Sequence, residues 1–255
     1  MLGVSFDGTG YGDDGTIWGG EIFAGSVLEG FERVAHLRPA ALPGGDGAAR
    51  YPVQAAAGFL AQVDELPDLN AEPFRFSGRY GNAMELVRRG VRTFTTTSAG
   101  RLFDAAAALL GFTREVTFEG QAAMWVEHLA RSVSFAEPYP FPLNEDELDF
   151  RPLLGSLARD RHSGRDPAAC ARGFQHGLAQ GLSAAVILLC ERFGLDTVVL
   201  SGGVFQNELL LEDLRCFLAA QRLDIWTNCS VPPYDGGISL GQAALAAFAH
   251  LNKSR

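Results

Sequence analysis

The chain has 255 residues, 47% of them apolar, enough to bury a core in one large domain or two small ones. Its 30 acids against 21 bases give a formal net charge of -9, and the basic clusters at 88–89 and 159–165 are too short to form a basic face, so nucleic acid is excluded as a main partner. Cys170, Cys190, Cys216 and Cys229 contain no CxxC pair, which argues against a zinc site or disulfide framework and for a reducing cytoplasm.

The opening apolar run 2–6 lacks a basic n-region and is too short for a signal segment or a membrane span, so neither export nor a membrane is expected. Strands are predicted over 2–7, 16–24 and 31–38, separated by glycine-rich turns at 8–15 and 25–30, and together they make an antiparallel meander over 1–38. Helical patterns follow at 53–62, 82–92, 102–110 and 120–132, so 39–150 reads as a helical insert. It closes on 138–149, a connector with three prolines and four acids.

A long helix is predicted over 166–193, with Phe174, Leu178, Leu182, Val186 and Leu189 on its apolar face and Gly194 as its stop. A strand (197–200), a helix (207–220), a strand (223–227), a turn at Pro232-Pro233 and an Ala-rich helix (237–250) make 151–255 a parallel α/β unit with a C-terminal helix.

Four runs carry candidate chemistry. In Asp7-Gly8-Thr9-Gly10 a strand ends on an acid and the chain turns on glycines, whose bare N–H groups can approach phosphate. Thr9 adds a hydroxyl donor and Asp7 can hold a cation, although the same residues make ordinary hairpin turns. Gly19-Gly20 mark either a bulge or a place where a ligand packs on backbone. Ser201-Gly202-Gly203 end a buried strand, where a flat base can lie on the peptide, with Asn207 either at a base or ribose edge or a plain helix residue. Asp104, placed on the first turn of a helix, either accepts ribose hydroxyls or stabilises the helix dipole. Asp235 is either an N-cap or a metal ligand.

The runs FDGTGYGDDGTIWGGE (6–21), SAGRLFDA (98–105), EGQAAM (119–124), LSGGVFQN (200–207) and PPYDGGISLGQA (232–243) resemble HypF, the carbamoyltransferase family of nickel-iron hydrogenase maturation, over essentially the whole chain. The resemblance implies an α/β fold of the actin, sugar-kinase and Hsp70-like ATPase superfamily: the second RNase-H-like lobe of a Kae1-like domain, with a helical insertion. It implies ATP or carbamoyl-adenylate as the nucleotide, a divalent metal (Fe, Zn or Mg), and carbamoyl transfer to the C-terminal cysteine of a HypE-like partner.

Carried onto this chain, the resemblance implies that Asp7, Gly8, Thr9 and Gly10 contact phosphate and that Arg101 and Asp104 meet the nucleotide. It further implies that Gly202, Gly203 and Asn207 line a nucleoside pocket, and that Asp7, also the catalytic residue, and Asp235 ligate the metal. The family's HHxAH motif, acylphosphatase-like segment, zinc fingers and YrdC-like domain are not in this sequence, so a fragment or a short protein is expected. Ile238, Leu240, Leu245 and Phe248 on the last helix are then exposed or covered by a partner or a second copy, giving a homodimer. Three other readings stay open: an O-carbamoyltransferase of antibiotic tailoring, a kinase of the same superfamily, and a non-catalytic fragment that binds nucleotide or a partner.

Overall fold

Leu2, Val4 and Phe6 are buried and alternate with half-buried neighbours, the two-residue period of a strand with one face on the core. The computed structural model describes residues 1–76 and 78–253, and in it this strand is β1 (Leu2–Tyr11). β2 (Ile17–Ser26) pairs antiparallel with β1, and β3 (Gly30–Leu37) pairs antiparallel with β2. The expected meander is present, but β1 runs on through the DGTG run. Its register slips between Phe6 and Gly10, so that run is an irregularity within the strand and not the hairpin turn.

The stretch 39–150 carries β4 (Ala40–Pro43), α1 (Asp46–Arg50), α2 (Pro52–Leu60), α3 (Gly78–Arg89), β5 (Thr93–Thr96), α4 (Ala99–Leu110), α5 (Gln121–Arg131), β6 (Leu143–Asn144) and β7 (Glu147–Leu148). It is therefore not purely helical. β4 pairs with β5, β5 meets β2 at Ile17 and Thr96, and β7 pairs with β3 inside the segment expected to be a connector. Strands as short as β6 and β7 leave no periodic pattern to read. In α4 every residue but Gly100 is buried, which marks a helix enclosed by the core.

α6 (Arg151–His162) has no counterpart among the predicted helices; it buries Leu153, Leu154, Leu157 and Ala158 from between arginines. α7 (Pro167–Phe193) starts where Asp166 accepts from the N–H groups of Ala168 (2.8 Å) and Ala169 (3.3 Å), and stops at Gly194 with φ 65°. Phe174, Leu178, Leu182, Val186 and Leu189 are all buried, and Phe103 of α4 packs edge-on against Phe174 at 5.3 Å. By length and composition α7 is apolar enough to cross a membrane, but 67% of its apolar window is buried within the protein.

β8 (Thr197–Ser201), a 3-10 turn (Gly203–Gln206), α8 (Glu208–Leu218), β9 (Asp224–Thr227), a second 3-10 turn (Asp235–Gly237) and α9 (Ile238–Lys253) complete the chain. The main sheet runs β6-β7-β3-β2-β1-β8-β9, with β8 parallel to β1 and β9 parallel to β8. Ile238, Leu240, Leu245 and Phe248 of α9 are all exposed.

Candidate functional site

β1 and β8 run parallel with Ser5 opposite Ser201, so both chains leave the pairing at one edge. Ligands of α/β sheets sit at that carboxyl edge. Beyond Ser201 the backbone turns at Gly202, φ 104°, where a Cβ would overlap the Phe6 carbonyl oxygen. At Gly203 a Cβ would stand 3.0 Å from Asp7 Oδ1, so the two glycine runs face each other.

A cleft of about 270 Å³ opens between them. Of the residues singled out from the sequence, Asp7, Gly8, Thr9, Arg101, Asp104, Gly203 and Asp235 line it. Glu119, Gly120, Gln206 and Tyr234 also line it and had been given no role; Glu119 and Gly120 lie in the EGQAAM run.

Ser98 fastens one wall. It caps α4, its Oγ accepting from Arg101 N (3.1 Å) and donating to Gly8 O (2.6 Å). A Cβ on Gly100 would come 2.7 Å from Gly8 Cα, so the positive end of α4 lies directly against the Gly8 backbone. The signal was a serine ahead of a helical pattern, hidden because the helix starts three residues before the predicted 102.

That earlier start places Asp104 beyond the first turn, which holds no acid, and removes the helix-dipole reading. Arg101 Nη1 lies 2.8 Å from Asp104 Oδ2 and both side chains are buried. The contact is out of hydrogen-bond alignment: Arg101 Nε and Nη1 and Asp104 Oδ2 all lack a hydrogen-bond partner. Burial pushes the Asp104 carboxyl up to about 6, against the pull of Arg101.

Asp7 Oδ1 accepts from Gly8 N at 2.7 Å. Asp235 opens its 3-10 turn, whose N-cap position belongs to Tyr234, so it is not an N-cap. Among the described residues no group of three or more His, Cys, Asp or Glu could hold a metal ion. Asp7 and Asp235 alone make an incomplete donor set, suited only to a hard cation that completes its shell with phosphate oxygens and water.

Three expected site residues lie outside the cleft lining. Gly10 sits in β1 opposite Trp18, and Gly202 packs inward on Phe6. Asn207 caps α8, its Oδ1 accepting from Leu210 N at 2.9 Å, while its buried Nδ2 has no hydrogen-bond partner among the described residues. Gly19 and Gly20 do not line the cleft either. Their N–H groups donate to Glu21 Oε2 (2.6 and 2.7 Å), the Thr97 hydroxyl donates to Oε1, and burial still pushes that carboxyl up against these donors and Arg33.

The family model described as carbamoyltransferase, Kae1-like domain, second subdomain, matches residues 3–242. The carbamoyltransferase HypF of Rhodobacter capsulatus is 40% identical over 248 residues, 96% of this chain and 32% of that protein. A crystal structure of full-length HypF in the phosphate- and nucleotide-bound form superposes with a TM-score of 0.85 at 35% identity, covering 96% of this chain and 39% of that one. The crystal structure of T. kodakarensis HypF superposes with a TM-score of 0.86 at 28% identity, covering 99% and 34%. The chain spans about a third of the length of most of the curated HypF proteins it matches and 65% of a HypF homolog of Cupriavidus necator.

Proposed function

This chain belongs to the carbamoyltransferase Kae1-like domain family, second subdomain, and we propose that it seats the nucleotide of a HypF-type carbamoyl transfer. The carbamoyl group passes from carbamoyl-adenylate, made from carbamoyl phosphate and ATP, to the C-terminal cysteine thiol of a HypE-like partner during hydrogenase maturation. One observation carries the reading: Arg101 Nε is buried at the cleft wall without a partner, and Arg101 Nη1 and Asp104 Oδ2 have only their own misaligned ion pair and no hydrogen bond. Buried polar groups are seldom left so, and a nucleotide offers both complements, phosphate oxygens for the guanidinium and ribose hydroxyls for the carboxylate.

In this reading Gly8 and Thr9, with the N-terminus of α4 behind them, receive phosphate, and Gly203 leaves room for the nucleoside. Asp7 and Asp235 would hold a divalent cation if one accompanies the nucleotide, and such a cation would supply charge neutralisation for the departing group. The HypF structure solved with phosphate and nucleotide supports the choice of ligand. The β3-β2-β1-β8-β9 order, antiparallel and then parallel, supports the RNase-H-like lobe of the actin and Hsp70 ATPase superfamily. We place the protein in the cytoplasm, where its four free cysteines remain reduced, and we read the exposed face of α9 as the contact with a second copy.

Isothermal titration with ATP, with and without Mg²⁺, tests the core of this. Binding strengthened by the cation and reduced tenfold or more, about 1.4 kcal/mol, by Arg101→Ala is the expected result. Absence of ATP binding at millimolar concentration would refute it.

A further inference from the structure

A second cavity, of about 410 Å³, opens beside the cleft and is lined by Ala49, Arg50 and much of the segment 115–122. It shares Thr9, Arg101, Asp104, Glu119 and Gly120 with the cleft, so the two are chambers with a common wall. Transfer between two bulky substrates suits such a plan, each entering by its own mouth with the reacting atoms meeting at the junction. The nucleotide takes the chamber of Gly203 and Asp235. The other is free for an acceptor; it is apolar at Val116 and Phe118, and its charged Arg50 and Glu115 already pair with each other.

Five acids line the two chambers. Asp7 accepts from Gly8 N, Asp104 is buried against Arg101, Glu115 is engaged by Arg50 and the Tyr51 hydroxyl, and Asp235 is reached only from the cleft. Glu119 lines both chambers, is exposed, and has no hydrogen-bond or ion-pair partner among the described residues. Its Oε1 lies 4.0 Å from where a Cβ on Gly8 would be, over the bare backbone of the phosphate run. The loop that carries it is held: Gly120 takes φ 75° at the start of α5, and the Thr117 N–H and hydroxyl donate to Gln121 Oε1 (2.7 and 3.2 Å).

Resting on the group-transfer reading above, we propose that the side chamber admits the acceptor and that Glu119 takes the proton from its nucleophile. The acceptor sulfur bonds the carbamoyl carbon, and the bond from that carbon to the adenylate phosphate oxygen breaks. AMP leaves with the electron pair, and the thiol proton passes to the Glu119 carboxylate and then to water. The charged groups facing this junction are Asp7, Arg101 and Asp104 from β1 and α4, with Arg50 and Glu115 across the side chamber.

The test mixes the full chain with freshly prepared carbamoyl-adenylate and a synthetic peptide ending in cysteine, and follows the carbamoylated peptide. Glu119→Gln is expected to slow transfer at neutral pH by about 10² or more when nucleotide is saturating. The deficit should shrink as pH rises past about 8.5, where the thiolate forms without a base. Ala49→Trp, which fills the side chamber from an exposed helix position, should raise the peptide KM several-fold and leave nucleotide affinity alone. Wild-type transfer rates in Glu119→Gln, or a deficit that stays constant across pH, would overturn the proposal. A wild-type chain that binds nucleotide and transfers nothing would overturn the group-transfer reading first, and this inference with it.

Discussion

Gly203 faces Asp7 so closely that a Cβ on the glycine would stand 3.0 Å from the carboxylate Oδ1. The parallel pairing of β1 with β8 brings them together, since Ser5 and Ser201 lie side by side, after which β8 ends on its glycine pair and β1 continues irregularly through its own glycine run. Gly202, next in the chain, points the other way and packs on the Phe6 backbone. One glycine keeps the cleft open while its neighbour keeps the fold.

Exchanging each for alanine should separate these roles. Gly202→Ala forces a side chain onto φ 104° and into the Phe6 carbonyl, and should destabilise the protein by at least ~1–3 kcal/mol. Gly203→Ala meets only a carboxylate that can shift, so it should leave thermal stability nearly intact and weaken ATP binding about tenfold. Thermal unfolding and titration of both variants decide it; equal losses of stability would refute the division.

Asp104 should make stability depend on pH. Its folded carboxyl stands at about 6, above the ordinary 3.8, so the folded state holds the proton more tightly than the unfolded chain. Stability is then greatest below the unfolded value, and about 3 kcal/mol in all is lost as pH rises from below roughly 4 to above 6. Urea unfolding across that window should show wild type losing stability relative to Asp104→Asn. A ligand that donates ribose hydroxyls to the ionised carboxylate should release protons on binding near pH 6, a signal that the asparagine variant lacks. A flat stability difference would contradict the burial argument.

The parts of the site that were legible in the sequence are chain-local. Asp7, Gly8, Thr9, Gly203 and Asp235 sit in glycine-rich runs, the first three at an irregularity within β1, and all reach the cleft. The α7 face was legible because its apolar residues repeat at helical spacing between an Asp cap and a Gly stop. Illegible features depend on what packs from elsewhere. α6 hides four buried apolar residues among arginines, and β6 and β7 are shorter than any period. Asn207 fitted two roles equally by type, and the fold shows it capping α8 through Oδ1 with its Nδ2 left unpartnered, a division that residue type alone does not reveal. Glu119 gains its position only when the 115–120 loop folds over Gly8.

Ser98 joins fold and site through one hydroxyl, bonded to Arg101 N and Gly8 O. Ser98→Ala should cost about 1 kcal/mol as a lost cap. It should also free the Gly8 carbonyl and weaken ATP binding, whereas Ser98→Thr, which keeps the hydroxyl, should recover both. Loss of stability with unchanged nucleotide affinity would show that the link to Gly8 does not position the phosphate run.

The last helix offers a test of assembly. Ile238, Leu245 and Phe248 fall on one stripe of α9 at helical spacing, all exposed, with Gly241 between them allowing close approach. Each such side chain gains about 1.5–3 kcal/mol when fully buried, and two antiparallel copies would bury the stripe from both sides. Association itself costs ~4–15 kcal/mol, so the dimer should be weak and its mass should climb with concentration in light scattering. Leu245→Glu, which sets like charges against an apolar contact, should hold the chain monomeric without lowering its melting temperature, because the native side chain lies exposed in the single copy. A monomer of constant mass in the wild type at the highest soluble concentration would exclude the contact.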